Sequence, residues 1–248
     1  MPLEIRDLHR FAILLDVDGT ILDIAPTPQA VQVPDTLRRA LATVCEGTGG
    51  ALALVSGRPL ADLDAIFAPL RLPAIGGHGA EIRPVGAGDA IVRRAPALDA
   101  RLKQTLKDIA SRHPGVMVED KGFSLALHYR RAPRQGPALV AEVKQACAAF
   151  ADRSIEALGG KAVIEVKTSG VDKGTAVREL MTLSPFAGRV PIFIGDDKTD
   201  EDAFAVMPQF DGRAVSVGER VPGIADHFDT PADVRQWLER LADTVAVS

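Results

Sequence analysis

Two carboxylates separated by a single residue, Asp16 and Asp18 in the stretch Phe11-Ala-Ile-Leu-Leu-Asp-Val-Asp-Gly-Thr20, carry the strongest chemical signal in this chain of 248 residues. Side chains two apart on an extended strand share a direction. Both acids therefore leave the carboxyl end of an apolar strand together, at the edge where open α/β sheets bind their ligands. Carboxylates held this close repel unless a cation, a phosphoryl group or a shared proton relieves them. The arrangement suits a Mg2+-dependent nucleophile beside an acid/base group. Standing alone, it would equally be a strand that ends in an acidic turn.

Three further segments keep it company. Leu52-Ala-Leu-Val-Ser56-Gly57-Arg58 sets a hydroxyl at the end of a second apolar run, followed by a glycine that lets backbone approach a ligand. Val171-Asp-Lys173-Gly-Thr starts a helical stretch with a cation, and Ile192-Phe-Ile-Gly195-Asp196-Asp197-Lys-Thr-Asp200-Glu-Asp-Ala-Phe204 ends a strand in a dense acid cluster. Each also has a plainer reading. Ser56 is a favoured type of helix N-cap, Lys173 could be a solvated lysine, and acids such as Glu201 and Asp202 suit the first turn of a helix.

The elements that must position these groups follow from the hydrophobic pattern. Short apolar runs at Phe11–Leu15, Ala51–Val55, Pro191–Ile194 and Ala214–Val217 fit strands buried on both faces of a parallel sheet. Helical stretches such as Asp35–Cys45 and Lys173–Met181 lie between them, which predicts a doubly wound, Rossmann-like α/β core. The middle of the chain reads differently. Leu98, Leu102, Leu106 and Ile109 recur at helical spacing, as do Leu139, Val143, Cys147 and Phe150. Each stretch precedes two strand-like segments: 115–121 with 123–130, and 154–158 with 162–167. This predicts a smaller α+β domain at 95–168, inserted into a core formed by 1–94 and 169–248, with 83–96 as a hairpin still belonging to the core.

The bulk composition is that of a folded soluble protein: 46% hydrophobic, 25% charged and only 4% aromatic. A net charge of −4 argues against an electrostatic nucleic-acid binder. No apolar stretch approaches the ~20 residues of a membrane helix, and no leader-like segment opens the chain. Cys45 and Cys147 lack metal-ligand spacing and read as reduced thiols. A cytoplasmic monomer with no membrane or nucleic-acid partner is expected.

Taken in order, the Asp16–Thr20, Ser56–Arg58, Lys173 and Gly195–Asp200 motifs resemble the haloacid dehalogenase (HAD) superfamily of phosphotransferases, across the whole predicted core. The resemblance implies that Asp16 accepts the phosphoryl group as an aspartyl phosphate. It implies that Asp18 protonates the leaving alkoxide and then activates water. Ser56 and Lys173 would hold the phosphoryl oxygens. Mg2+ would sit among Asp16, the main-chain carbonyl of Asp18 and Asp196, with Asp200 steadying the shell. The insert stands where this superfamily carries a cap.

Strand alternation within that insert sends Leu125 and Leu127, Ile164 and Val166 to one face, together with Val116 and Val118. The other face receives Glu119, Lys121, Arg130, Lys161 and Glu165. A solvated outer face is the ordinary reading of such a surface, but on a cap it turns toward substrate. Mixed charges without an aromatic platform suit a polyol rather than a nucleobase, for which stacking would be expected. The segments Gly76-Gly-His78-Gly-Ala-Glu81, Val118–Arg130 and Gly195–Phe204 are similar to the trehalose-6-phosphate phosphatases. In that family the cap positions matching Glu119, Lys121, Arg130, Lys161 and Glu165 bind sugar hydroxyls, and Arg58 and His78 would lie near the core–cap interface and bind substrate. One departure is Glu165-Val-Lys167-Thr, where the family often has a basic residue followed by proline; the glutamate is kept. Hydrolysis of trehalose 6-phosphate is the leading expectation. A phosphatase for another sugar phosphate, such as sucrose phosphate or a glycosyl phosphoglycerate, is the alternative. An inactive sugar-binding module would have lost acids or the lysine that are all present here.

Overall fold

The structure, a computed structural model, describes residues 5, 7–25, 31–86, 92–93, 96–150, 155–160 and 162–246. The first part of the chain runs β1 (Phe11–Leu15), α1 (Asp35–Gly47), β2 (Leu52–Val55), α2 (Leu60–Phe67), β3 (Ala74–Gly76), β4 (Glu81–Arg83) and β5 (Val92–Arg93). The middle supplies α3 (Ala100–Ser111), β6 (Met117–Asp120), β7 (Ser124–His128), α4 (Gly136–Ala148), β8 (Ile155–Gly160) and β9 (Val163–Thr168). The last part adds α5 (Lys173–Leu180), β10 (Val190–Gly195), α6 (Glu201–Phe204), β11 (Arg213–Val217), β12 (Asp226–Phe228) and α7 (Pro231–Ala246). These elements form two compact units, Met1–Arg94 with Asp172–Ser248, and Ala95–Val171. Among the described residues no helix is long and apolar enough to cross a membrane.

The first unit is built on a sheet of order β12-β11-β10-β1-β2-β3-β4-β5. It is parallel from β12 to β3, and β4 and β5 add an antiparallel edge. Burial on both faces makes its strands nearly all apolar, and their alternation divides two cores. Ile13, Leu15, Leu52, Leu54, Ile192 and Ile194 pack with Leu41 of α1 and Trp237 and Leu238 of α7. Ala12, Leu14, Ala53, Val55 and Phe193 pack with Val177 and Leu180 of α5 and Phe204 of α6. β1 lies centrally, between β10 and β2, so its carboxyl end opens where the strand order reverses. Carrying the alternation of Ala12 and Leu14 one step further sends Asp16 to the α5 side.

The second unit is an antiparallel sheet of order β6-β7-β9-β8 with α3 and α4 on one face. Asp99 caps α3 by accepting from the amides of Arg101 and Leu102. Leu102 and Leu106 of α3 and Leu139 and Val143 of α4 pack against Leu125, Leu127, Ile164 and Val166. The opposite face carries the register row Glu119, Ala126, Glu165 and Leu158. Three expectations change here. Val118 shares parity with the packed face but lies on the edge strand and stays 38% exposed. Lys121 belongs to the tight turn between β6 and β7, where its amide donates to the Ser124 carbonyl at 3.0 Å. β7 ends at His128, so Arg130 sits in the following turn, exposed, rather than on the strand face. The turn forms because the Tyr129 carbonyl accepts from the amide of Ala132 at 2.9 Å.

Candidate active site

At the carboxyl edge of the core sheet, Asp16 follows β1 directly and its amide still donates to the Ile194 carbonyl at 2.9 Å. Lys173, the first residue of α5, reaches it across the chain: Nζ lies 2.8 Å from Asp16 Oδ1 and 2.6 Å from Asp200 Oδ1. All three side chains are buried. A cation is unfavourable at a helix N-terminus, so this lysine needs its acids, and the helix start is secured separately. Asp172 caps α5 by accepting from the Thr175 amide at 2.6 Å, while Thr175 Oγ1 accepts from the Asp172 amide at 3.3 Å. The second oxygen of Asp200 accepts from the amides of Asp196 and Asp197, at 3.0 and 3.1 Å. Asp200 thus ties the loop after β10 to the lysine.

Counting charge explains the electrostatics. One buried ammonium is shared among Asp16, Asp196, Asp197 and Asp200. Burial pushes Asp16 well up, and Asp196 and Asp197 add to it although Lys173 pulls the other way. Burial likewise raises Asp196, with Asp197 and Asp200 adding to the effect. Asp200 is pushed up to about 7 by burial and by Asp16, against the pull of Lys173. Asp197 moves the opposite way: burial resists, but Lys173 and hydrogen bonds from Thr199 hold it below the usual carboxylate range. The acids surround Lys173 so fully that its pKa rises despite burial.

This excess of negative charge is what a cation site requires. Oxygens of Asp16, Asp196 and Asp200 all lie within 4.8 Å of one another. They form an all-oxygen donor set, which suits a hard divalent ion better than a thiophilic one. The Asp196 carboxylate also presses on Gly19, where a Cβ would stand 2.2 Å from Oδ2 and where φ is +90°. Only glycine leaves room for that carboxylate beside the turn after β1. Thr20 Oγ1 donates to Asp196 Oδ1 at 3.2 Å. Its place in the Asp16–Thr20 motif was the available signal for this contact, which sequence reasoning did not draw.

Ser56 and the loop 76–79 close the other side. The Ser56 hydroxyl accepts from the Arg58 amide at 3.1 Å, and α2 starts later, after Pro59 and without a side-chain cap. The helix-cap reading of Ser56 therefore fails. His78 stands in the left-handed region at φ 54°. Its ring lies on Gly57, where a Cβ would be 2.3 Å from Nε2. The loops are stitched together by His78 N to Ser56 O at 2.9 Å and Gly77 N to Arg58 O at 2.8 Å. Arg58 forms a two-point contact with Asp18, Nε to Oδ2 at 2.6 Å and Nη2 to Oδ1 at 2.7 Å. Asp16, Asp18, Ser56, Arg58, His78, Lys173, Asp196 and Asp200 thus all lie at the sheet's carboxyl edge or in the loops joined to it, with the Asp18 carboxylate turned to Arg58.

Within the second unit, Glu165 Oε1 accepts from Ser124 Oγ at 2.6 Å and from Lys121 Nζ at 3.3 Å. His128 Nε2 lies 2.8 Å from Glu119 Oε2, a hydrogen bond that lowers the Glu119 pKa against the penalty of burial. Glu119 and Glu165 therefore share one polar face, and the Lys121 side chain reaches it from the turn between β6 and β7. Arg130 projects from the neighbouring turn, and Lys161 lies outside the described residues. Alternation along β7 places Ser124 and His128 on that face with Ala126, and the structure adds their contacts with Glu165 and Glu119.

A family model described as trehalose-phosphatase matches residues 14–228. The chain is similar to a trehalose-6-phosphate phosphatase of Escherichia coli (strain K12), 36% identical over 232 residues that cover 94% of this chain and 86% of the relative. It is similar to a probable trehalose-phosphate phosphatase of Sinorhizobium fredii, 41% identical over 219 residues, covering 87% and 81%. Among solved structures, the C-terminal domain of the Candida albicans trehalose-6-phosphate phosphatase superposes with a TM-score of 0.82 at 24% identity, covering 95% of this chain and 92% of that one. A HAD-superfamily phosphatase of Bacteroides thetaiotaomicron shares the fold with a TM-score of 0.59 at 17% identity, covering 99% of each chain.

Proposed function

From the premise that this chain belongs to the trehalose-phosphatase family, we propose that its core site hydrolyses trehalose 6-phosphate to trehalose and phosphate by way of Asp16. The chain is a phosphoric monoester hydrolase of the HAD fold. The observation that carries the mechanistic reading is the buried contact of Asp16 with Lys173, in a cluster where carboxylates outnumber the ammonium.

Phosphoryl transfer depends on alignment and on offsetting charge at the transferring oxygens. Asp16, fixed at the end of a central strand, offers one carboxylate oxygen in line with phosphorus. Lys173 holds the other oxygen and aims the attacking one. Asp18 protonates the departing sugar oxygen and then deprotonates the water that opens the aspartyl phosphate. Covalent capture divides one hard displacement into two easier ones. The Ser56 hydroxyl and Lys173 steady the phosphoryl oxygens. Mg2+, held by Asp16, the main-chain carbonyl of Asp18 and Asp196, with Asp200 fixing that loop, would supply the charge compensation the cluster lacks. On the second unit, Glu119, Lys121, Arg130, Lys161 and Glu165 read the sugar hydroxyls, while Arg58 and His78 flank the site of reaction. A sugar phosphate carries too much charge to cross a bilayer unaided, which favours a cytoplasmic enzyme; a monomer without nucleic-acid or membrane partners completes the reading.

Phosphate release from trehalose 6-phosphate, with and without Mg2+, tests it directly. The expected result is Mg2+-dependent release that exceeds release from sucrose 6-phosphate and glucosyl phosphoglycerate. Equal rates across that panel would remove the substrate assignment while leaving the phosphatase in place.

A further inference from the structure

Both oxygens of Asp18 are taken by Arg58, through contacts of 2.6 and 2.7 Å. This is not a loose surface pair. The Arg58 side chain is 12% exposed and that of Asp18 36%, so the rigidity of the pair comes from Arg58 and its loop. Its main chain is fixed at both ends, the amide by Ser56 Oγ at 3.1 Å and the carbonyl by the Gly77 amide at 2.8 Å. Asp18 forms an isolated bridge with Leu22, and the next amide, of Gly19, donates to the Leu22 carbonyl at 2.7 Å. The contact therefore joins two rigid loops that leave adjacent parallel strands, β1 and β2. A two-point guanidinium–carboxylate contact sets distance, plane and direction together, which an ammonium cannot do.

We propose that Arg58 is a positioning residue for Asp18: it fixes where that carboxylate stands beside Asp16, and it acts on catalysis through Asp18 rather than by touching the sugar. The inference rests on the acid/base reading of Asp18 given above. In the first step a bond forms between an Asp16 oxygen and phosphorus, the bond from phosphorus to the sugar oxygen breaks, and the proton on Asp18 passes to that oxygen. In the second, a water oxygen bonds phosphorus, the Asp16–phosphorus bond breaks, and the proton of the water returns to Asp18. The two-point contact is that of the charged carboxylate; in either transfer one Asp18 oxygen is released from Arg58 and carries or takes the proton within reach of the reacting oxygen, while the remaining contact keeps the group from swinging away. Misplacement by about 1 Å is enough to cost on the order of 100-fold.

A positioned acid matters in proportion to how poor the leaving group is. A sugar alkoxide needs the proton; a nitrophenolate departs without it. The test measures kcat/KM, which reports the first step, for the wild type, R58A, R58K, D18N and the R58A/D18N double variant. The substrates are trehalose 6-phosphate and p-nitrophenyl phosphate, and trehalose inhibition constants are measured alongside. R58A is expected to lose about 30- to 100-fold on the sugar ester, at or below the lower end of full general acid–base effects as suits a misplaced rather than a deleted acid, and under about 5-fold on the aryl ester. R58K keeps a single contact and is expected to recover part of the loss. Trehalose inhibition should change by less than about 3-fold, and the double variant should be no worse than D18N, since both act on one step. Equal losses on the two esters, a weakened trehalose inhibition, or additive losses in the double variant would each overturn the inference. If R58A does not fold, R58K carries the same comparison. If the wild type leaves trehalose 6-phosphate untouched, the functional reading falls, and the comparison is made on an alkyl phosphate ester that the wild type does cleave.

Discussion

Three acids at the edge of the core sheet, Asp16, Asp196 and Asp200, and two of the second unit, Glu119 and Asp120, are held on opposite electrostatic terms. In the core, Asp16, Asp196 and Asp200 are all raised, because burial and mutual repulsion exceed what Lys173 alone can offset. In the cap unit, Glu119 is lowered by its hydrogen bond from His128. Asp120, on the helix side of the same sheet, is held at about 2: burial opposes the shift, but hydrogen bonds from Lys103, the Gly122 amide and Lys107 prevail. Glu165, too, is met by a lysine and a hydroxyl. The contrast separates two tasks. A site for phosphoryl transfer is left short of positive charge, so that a metal and the reaction itself complete it. On the reading proposed above, a face for sugar hydroxyls would have its charges paired in advance, as Glu119 is with His128 and Glu165 with Lys121, and would present oriented donors and acceptors.

The largest effect expected from breaking this contrast comes from its centre. D16N should lower turnover by about 10⁴-fold or more, while the far-ultraviolet circular dichroism stays that of the wild type. Substantial residual Mg2+-dependent turnover would show that Asp16 is not the nucleophile. K173M should remove nearly all activity as well, and should also destabilise the fold, by about 3–5 kcal/mol for a buried ion pair that loses one partner. Stranded Asp16 and Asp200 can take up protons in acid, so the loss measured in urea should be smaller at pH 5 than at pH 8. A loss independent of pH would mean that the acids are not held charged by the lysine.

On the cap unit the effect should be selective rather than total. E165A should reduce kcat/KM for trehalose 6-phosphate by about 100-fold, the order expected when a part-buried, hydrogen-bonded charge that holds substrate is removed, and that for p-nitrophenyl phosphate by less than about 3-fold. Equal losses would deny that this face reads the sugar.

The smallest effect is one of pH. Folding raises the carboxyls of Asp16, Asp196 and Asp200 above their unfolded values, so the native state binds more protons than the unfolded chain between about pH 4 and 7. Their contribution to stability is full below that window and is lost as pH rises through it. Lys173 is raised as well, so its contribution persists to pH values above this window. Chelator-treated protein should therefore lose several degrees of Tm from pH 5 to 7.5, and Mg2+ should restore more of it at the higher pH. Mg2+ affinity should rise with pH, by up to about tenfold per unit for each proton displaced. An affinity flat across the window would show that the core cluster is not short of positive charge.

Much of this architecture was legible in the residues. The apolar runs ending at Leu15, Val55 and Ile194 became adjacent parallel strands, because a strand buried on both faces leaves a continuous hydrophobic signature. The segment 83–96 supplied the antiparallel edge strand β5. Less was drawn from the end of the chain, where Thr230-Pro-Ala-Asp233 forms reciprocal cap contacts at the start of α7. Arg130 was misplaced because alternation shows which way a side chain points only while the strand continues, and the turn after His128 ends it.

By itself, the sequence determined the reaction class and the order of elements: residue types at fixed spacing say what chemistry is available, and hydrophobic period says what can be buried. Tertiary structure alone decided the pairings, namely that Arg58 turns to Asp18, that Asp200 serves Lys173, and that Thr20 steadies Asp196. These contacts join residues up to 176 positions apart. Which donor meets which acid depends on loop paths set by packing across the whole sheet, and no local pattern of residues contains that information.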